Sequence, residues 1–139
     1  MIYWVWLFFR VLWTGPTTAV GLVIAIPCMP LGARWRQREG VWECYGGALA
    51  WLLEHGTVLE GGALAITFGE VILGRSAAAL DLTRKHEHVH VRQARRWGPA
   101  FIPAYLLASL WVFFRGGRGY RDNPFEREAF GVSDGRERK

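Results

Sequence analysis

Hydrophobic positions fall in long blocks along this 139-residue chain, not in an even amphipathic rhythm. Two blocks carry no charge: VLWTGPTTAVGLVIAIPCMPLGA, residues 11–33, and WGPAFIPAYLLASLWVFF, residues 97–114. As helices they would extend roughly 34 and 27 Å against a hydrocarbon core of about 30 Å, so the first is long enough to cross a bilayer and the second is borderline. Ahead of the first block lies MIYWVWLFFR. Its Arg10 would cost about 2.5–3.5 kcal/mol at a bilayer centre, which puts residues 2–10 at the interface or at one end of a tilted helix. The opening has neither a basic leader nor a small-residue cleavage site and is read as retained.

Between the blocks the period changes. GARWRQREG (32–40) reads as a polar connector, VWECY (41–45) as a strand, and GGALAWLLEHG (46–56) fits either a strand or a short helix. ALAITF and EVILG flank Gly69 with β-branched residues on both sides, predicting a hairpin or two successive strands with turns near Gly61-Gly62, Gly69 and Gly74. From Ser76 to Trp97 there is no Pro or Gly, a run far longer than a usual strand. Ser76 suits the N-cap of a helix and Gly98-Pro99 its stop. The apolar segment 100–114 follows as a helix with Pro103 in its first turn or at a kink. RGGRGYRDN reads as a flexible basic loop. NPFEREAF begins another helix, with Asn123 at the N-cap and Pro124 at the first helical position, and VSDGRERK is expected to fray.

Composition strengthens the membrane reading. Hydrophobic residues make up 51% of the chain, eight residues are Trp and eight are Phe. Trp4, Trp6, Trp13 and Trp35 flank the first block, and Trp97 and Trp111 sit near the ends of the second, where indoles favour the lipid–water boundary. Of the seventeen Lys and Arg, nine fall in residues 34–96 and seven in 115–139, so both polar portions are expected on the cytoplasmic side of the cell membrane, with lipid as a partner. The net charge of +5 is spread among apolar segments without a recognised binding motif, so no nucleic acid partner is expected. Cys28 and Cys44 form no CxxC pair and read as buried hydrophobes.

The chemistry is concentrated in LTRKHEHVHVRQ, residues 82–93. On a strand, His86, His88 and His90 would share a face. On the helix predicted here, residues four apart lie about 40° apart around the axis, so His86 and His90 point together and can chelate one ion while His88 faces away. Glu87, about 100° from His86, can act as general base toward a metal-activated water without being a ligand. This is the H-E-x-x-H arrangement of zinc metallopeptidases. A Gln93 lies one turn further on, and His55 is read as a surface or packed histidine. Such a site needs a third protein ligand, and the downstream acids are Asp122, Glu126, Glu128, Asp134 and Glu137.

At Glu126-Arg127-Glu128-Ala129 the sequence resembles the glutamate-type zincins, in which H-E-x-x-H is followed by a second helix carrying E-x-x-A. The resemblance implies Zn2+ as cofactor, Glu126 as third ligand and Ala129 as the small residue that lets the helices pack; Glu128 is the reserve ligand. Glu126 also occupies the N3 position after Asn123, where it could fold back in a capping box. Many such proteins place Asp or Asn after the Ala, where it can orient a histidine; here Phe130 stands instead. Tyr120, Arg121 and His88 are possible oxyanion donors that no spacing selects. The chain also resembles a group of small bacterial membrane-associated proteins with the signatures H-E-x-V-H-V-R-Q, G-P-x-F-x-P-A-Y-L-L-A-S and Y-R-D-N-P-F-E-R-E-A, a resemblance that brings no substrate with it.

The expected fold is α+β. It comprises an apolar membrane-associating segment over residues 1–33, a zincin-like metal-binding domain over 34–131 and a polar tail over 132–139. The domain holds a small antiparallel sheet and a pair of metal-binding helices with an apolar packing helix between them. The expected function is a membrane-associated zinc-dependent hydrolase, metallopeptidase-like, acting on a peptide or protein. The alternative is a non-enzymatic membrane protein with a structural or vestigial metal site. One constraint links membrane and metal: if residues 98–114 crossed the bilayer as a straight helix, Glu126 would lie on the opposite side from His86 and His90.

Overall fold

The first uncharged block and the aromatic stretch before it form one helix, α1, Ile2–Cys28, in a computed structural model that describes residues 1–135. The halves of α1 have different surroundings. Thr14, Thr17, Gly21, Ala25 and Cys28 recur every three or four residues and make a buried stripe, whereas Tyr3, Trp4, Trp6, Phe8 and Phe9 are exposed. Small side chains on the stripe let the backbone come close to its neighbour. A Cβ on Gly21 would stand 2.9 Å from the Cβ of Phe68. A short 3-10 turn, Met29–Leu31, ends the helix before Gly32 at φ 94°.

Two hairpins build the sheet. Strand β1 (Arg34–Arg38) pairs antiparallel with β2 (Val41–Tyr45), and β3 (Ala65–Phe68) pairs antiparallel with β4 (Val71–Gly74). The second hairpin turns at Gly69 as expected, and GGALAWLLEHG resolves into a short helix, α2, Gly47–His55. Two expectations are corrected. The sheet is mixed, in the order β1-β2-β4-β3, because β2 and β4 run parallel. Parallel neighbours need a long crossover, and α2 together with β3 supplies it. The stretch taken as a polar connector is β1 itself. Its charge suits an edge strand, where arginines discourage pairing with another chain. Arg36 reaches its cross-strand partner Glu43, which is fully buried, at 2.5 Å and Asp81 at 2.8 Å.

Helix α3, Ala77–Trp97, runs as the breaker-free stretch predicts, with the Ser76 hydroxyl accepting from the Ala79 amide. Its end is fixed sterically as well as by conformation: Gly98 has φ +55°, and a Cβ there would lie 2.2 Å from the Trp13 ring. After the turn Gly98–Ala100, the second uncharged block forms α4, Phe101–Phe114, and the chain returns through residues 115–123 to α5, Pro124–Ser133. Helix α5 runs past Gly131 into the stretch expected as tail; the end of that tail, residues 136–139, lies outside the described residues. Two helical stretches, Ile2–Leu31 and Ala77–Phe114, are long and apolar enough to cross a membrane. Within the second, α4 leaves Leu106, Leu107, Trp111, Phe113 and Phe114 exposed and buries Phe101.

The N-cap of α3 supports the helix that carries the histidines. Ser76→Ala is expected to lower the unfolding free energy by about 1 kcal/mol in denaturant titrations followed by circular dichroism. Ser76→Asp, which keeps an acceptor, should stay near wild type, and an equal loss in both variants would contradict this assignment of the cap.

Candidate metal centre

Helix α3 presents a polar face to α5. His86, His90 and Gln93 are buried there and Glu87 is buried beside them toward β3, an arrangement that a helix embedded in a protein tolerates only when each group has a partner. Helix α5 brings Glu126 in its first turn. Ala129, one turn later and fully buried, leaves room for the two helices to close on each other.

Three of the expected residues converge. His86 Nε2 lies 3.0 Å from Glu126 Oε2, His90 Nε2 lies 3.3 Å from Glu126 Oε1, and the two Nε2 atoms are 3.2 Å apart. His86, His90 and Glu126 are all buried and together form a group that could hold a metal ion. Glu126 therefore faces the histidines and not the Asn123 amide, which donates to the Tyr120 carbonyl at 3.2 Å. Glu128 is elsewhere, accepting from Gln93 Nε2 at 2.8 Å. His88 faces away, with Nδ1 3.8 Å from Glu39 Oε2, and His55 stacks on Trp51 at the end of α2.

No family model, curated protein or solved structure matches the chain. Function is accordingly read from the surroundings of these side chains.

Glu87 is held from the sheet: the Thr67 hydroxyl on β3 donates to Glu87 Oε2 at 2.7 Å. Glu126 is held from the apolar helix, where the Tyr105 hydroxyl donates to Oε1 at 2.5 Å. Neither support was singled out in the sequence. A Thr inside AITF and a Tyr inside PAYLLASL are polar groups in apolar segments, and buried hydroxyls need partners; that was the available signal. His90 Nδ1 meets Gln93 Oε1 at 2.8 Å. Phe130 packs its ring on His86 with centroids 4.6 Å apart, and Arg121 caps the Phe130 ring at 4.7 Å.

Burial opposes ionisation of Glu126, but hydrogen bonds from His86, His90 and Tyr105 outweigh it and hold the carboxyl at about 2. Burial likewise disfavours a charged His90, and here the bond to Glu126 and the charges of Glu126 and Glu87 prevail, raising it to about 8. Glu87 goes the other way: burial raises it, against the pull of His90, the Thr67 bond and His86. Tyr120 is raised first by burial and then by the charges of Glu126 and Glu87.

These shifts set the pH response of the metal-free protein. His90 lies above its ordinary 6.5, so its contribution to stability is fully present below 6.5 and is lost as pH rises through 8. Glu87, also raised, works in the same direction from its ordinary 4.5 upward. Glu126 contributes above 4.5 and loses that contribution as pH falls through 2. Chelator-treated protein should therefore melt lower at about pH 9 than at about pH 6.5, while metal affinity, which needs neutral imidazoles, rises over the same interval. A melting temperature that is flat or rising across that interval would contradict the pairing of His90 with Glu126.

Proposed function

We propose that the chain is a membrane-associated zinc-dependent hydrolase of the metallopeptidase kind, with His86, His90 and Glu126 as zinc ligands and Glu87 as general base. The observation that carries this reading is the convergence of two imidazole nitrogens and one carboxylate. Tetrahedral ligands at zinc distances of about 2.0–2.2 Å stand about 3.3 Å from one another. The two Nε2 atoms are 3.2 Å apart, each has a different Glu126 oxygen at 3.0 or 3.3 Å, and one ligand atom from each residue lies within 4.8 Å of the other two. The donor set is also that of catalytic zinc sites, which use three protein ligands and keep a fourth position open.

Bound there, zinc supplies Lewis acidity, lowering the pKa of water to about 7 and polarising a carbonyl oxygen. The rest falls to the protein. Thr67 fixes the Glu87 carboxylate through Oε2 and leaves Oε1 to take a proton and return it to a leaving amine. Burial raises the proton affinity of Glu87 toward the range where a base can also act as an acid. Tyr105 keeps the Glu126 carboxylate turned to the histidines. The low exposure of all four groups keeps bulk water out of the site.

Membrane association rests on the exposed aromatic half of α1 and on α4, apolar on every side. Helix α4 has 14 residues, about 21 Å, short of a bilayer core of about 30 Å. It lies in lipid without carrying Glu126 across, and the basic polar portions face the cytoplasm. A non-enzymatic protein with a structural or vestigial metal site is the competing reading. The observation in its favour is Phe130, whose ring gives His86 no hydrogen-bond acceptor.

Zinc content after desalting should be near one per chain in wild type and should vanish in His86→Ala, His90→Ala and Glu126→Ala. Glu87→Gln should keep its zinc and lose about 100-fold or more of peptide hydrolysis. Equal hydrolysis by zinc-loaded wild type and Glu87→Gln would favour the non-enzymatic reading.

A further inference from the structure

Gln93 is the most constrained polar side chain near the histidines. It is 1% exposed, and its Nε2 donates to the Phe125 carbonyl at 3.0 Å and to Glu128 Oε2 at 2.8 Å. A peptide carbonyl only accepts, so the amide nitrogen must face it and the amide orientation is settled. Gln93 Oε1 is then left facing His90 Nδ1 at 2.8 Å. An amide oxygen also only accepts, so Nδ1 must carry a hydrogen. The neutral ring consequently keeps its lone pair on Nε2, the atom that faces Glu126 and His86.

We propose that Gln93 is a positioning residue that fixes the Nδ1–H tautomer of His90 and turns its Nε2 lone pair toward the metal position, and that Glu128, through its bond to Gln93, sets Gln93 in turn. The proposal rests on the zinc reading above. It gives the reserve ligand Glu128 a role one step further out: α5 supplies both the ligand Glu126 and, on the next side of the helix, the group that orients another ligand from α3.

Full-length protein tests this by two measurements, zinc affinity by chelator competition and the imidazole nitrogen shifts of His90 in metal-free protein at alkaline pH. Gln93→Leu keeps approximate volume and removes the acceptor. Zinc affinity should fall about 10- to 100-fold, and His90 should pass from a single Nδ1–H tautomer to a mixture. The paired exchange Gln93→Glu with Glu128→Gln gives up the donation to the Phe125 carbonyl but keeps an acceptor facing His90 and a bond between the two side chains, and should recover the tautomer together with part of the affinity. Unchanged affinity and tautomer in Gln93→Leu would overturn the proposal. If Gln93→Leu does not fold, the paired exchange decides: a folded double variant with mixed tautomers overturns it, and one with the Nδ1–H form supports it. Wild type that holds no zinc defeats the metal reading, whereas the tautomer needs no metal and still judges Gln93.

Discussion

The return of the chain after α4 is the constraint on which the site depends. His86 and Glu126 are 40 residues apart, and an uncharged helix lies between them. Asn123 holds the return in place. It is fully buried; its Nδ2 donates to the Tyr105 carbonyl and to Ser109 Oγ on α4, while its Oδ1 accepts from the Phe125 amide and caps α5. One side chain thus ties the start of α5, which carries Glu126, to the apolar helix before it. Because its donors and acceptor are all used, no unmet polar group offsets the gain.

Burying charge on α3 would cost several kcal/mol per group without compensation. The fold answers this differently on the two sides of the helix. Toward α5, Glu126 meets His86, His90 and the Tyr105 hydroxyl, and toward β3, Glu87 accepts from Thr67, so carboxylates sit among hydroxyls and imidazoles. On the β1–β2 side, fully buried Glu43 is met by the guanidinium groups of Arg36 and Arg84, an ordinary ion pair network. Permanent cations neutralise Glu43. Around Glu126 two of the neighbours are imidazoles, which, unlike guanidinium groups, can give up a proton, as metal binding would require.

Local chemistry was well marked in the sequence. The Ser76 and Asn123 caps, the stop at Gly98, the Gly69 turn and the shared face of His86 and His90 each follow from short-range rules that the structure obeys. Features set by distant partners were not. RWRQR became a strand because Glu43 and Asp81 receive Arg36, and the parallel β2–β4 pairing depends on how α2 carries the chain across. Glu126 and Glu128 could not be ranked by spacing alone. Their separation around α5 sends one toward the histidines and the other to Gln93, a difference only the packing of α3 against α5 resolves.

The most direct test is X-ray absorption at the zinc edge on metal-loaded wild type and Glu126→Ala. The wild-type first shell should contain two imidazole nitrogens at about 2.0–2.1 Å with protein carboxylate oxygen beside them. That oxygen contribution should change, or the metal be lost, when Glu126 is removed. A shell without imidazole, or an identical spectrum from an equally zinc-loaded Glu126→Ala, would contradict the meeting of α3 and α5 around one ion.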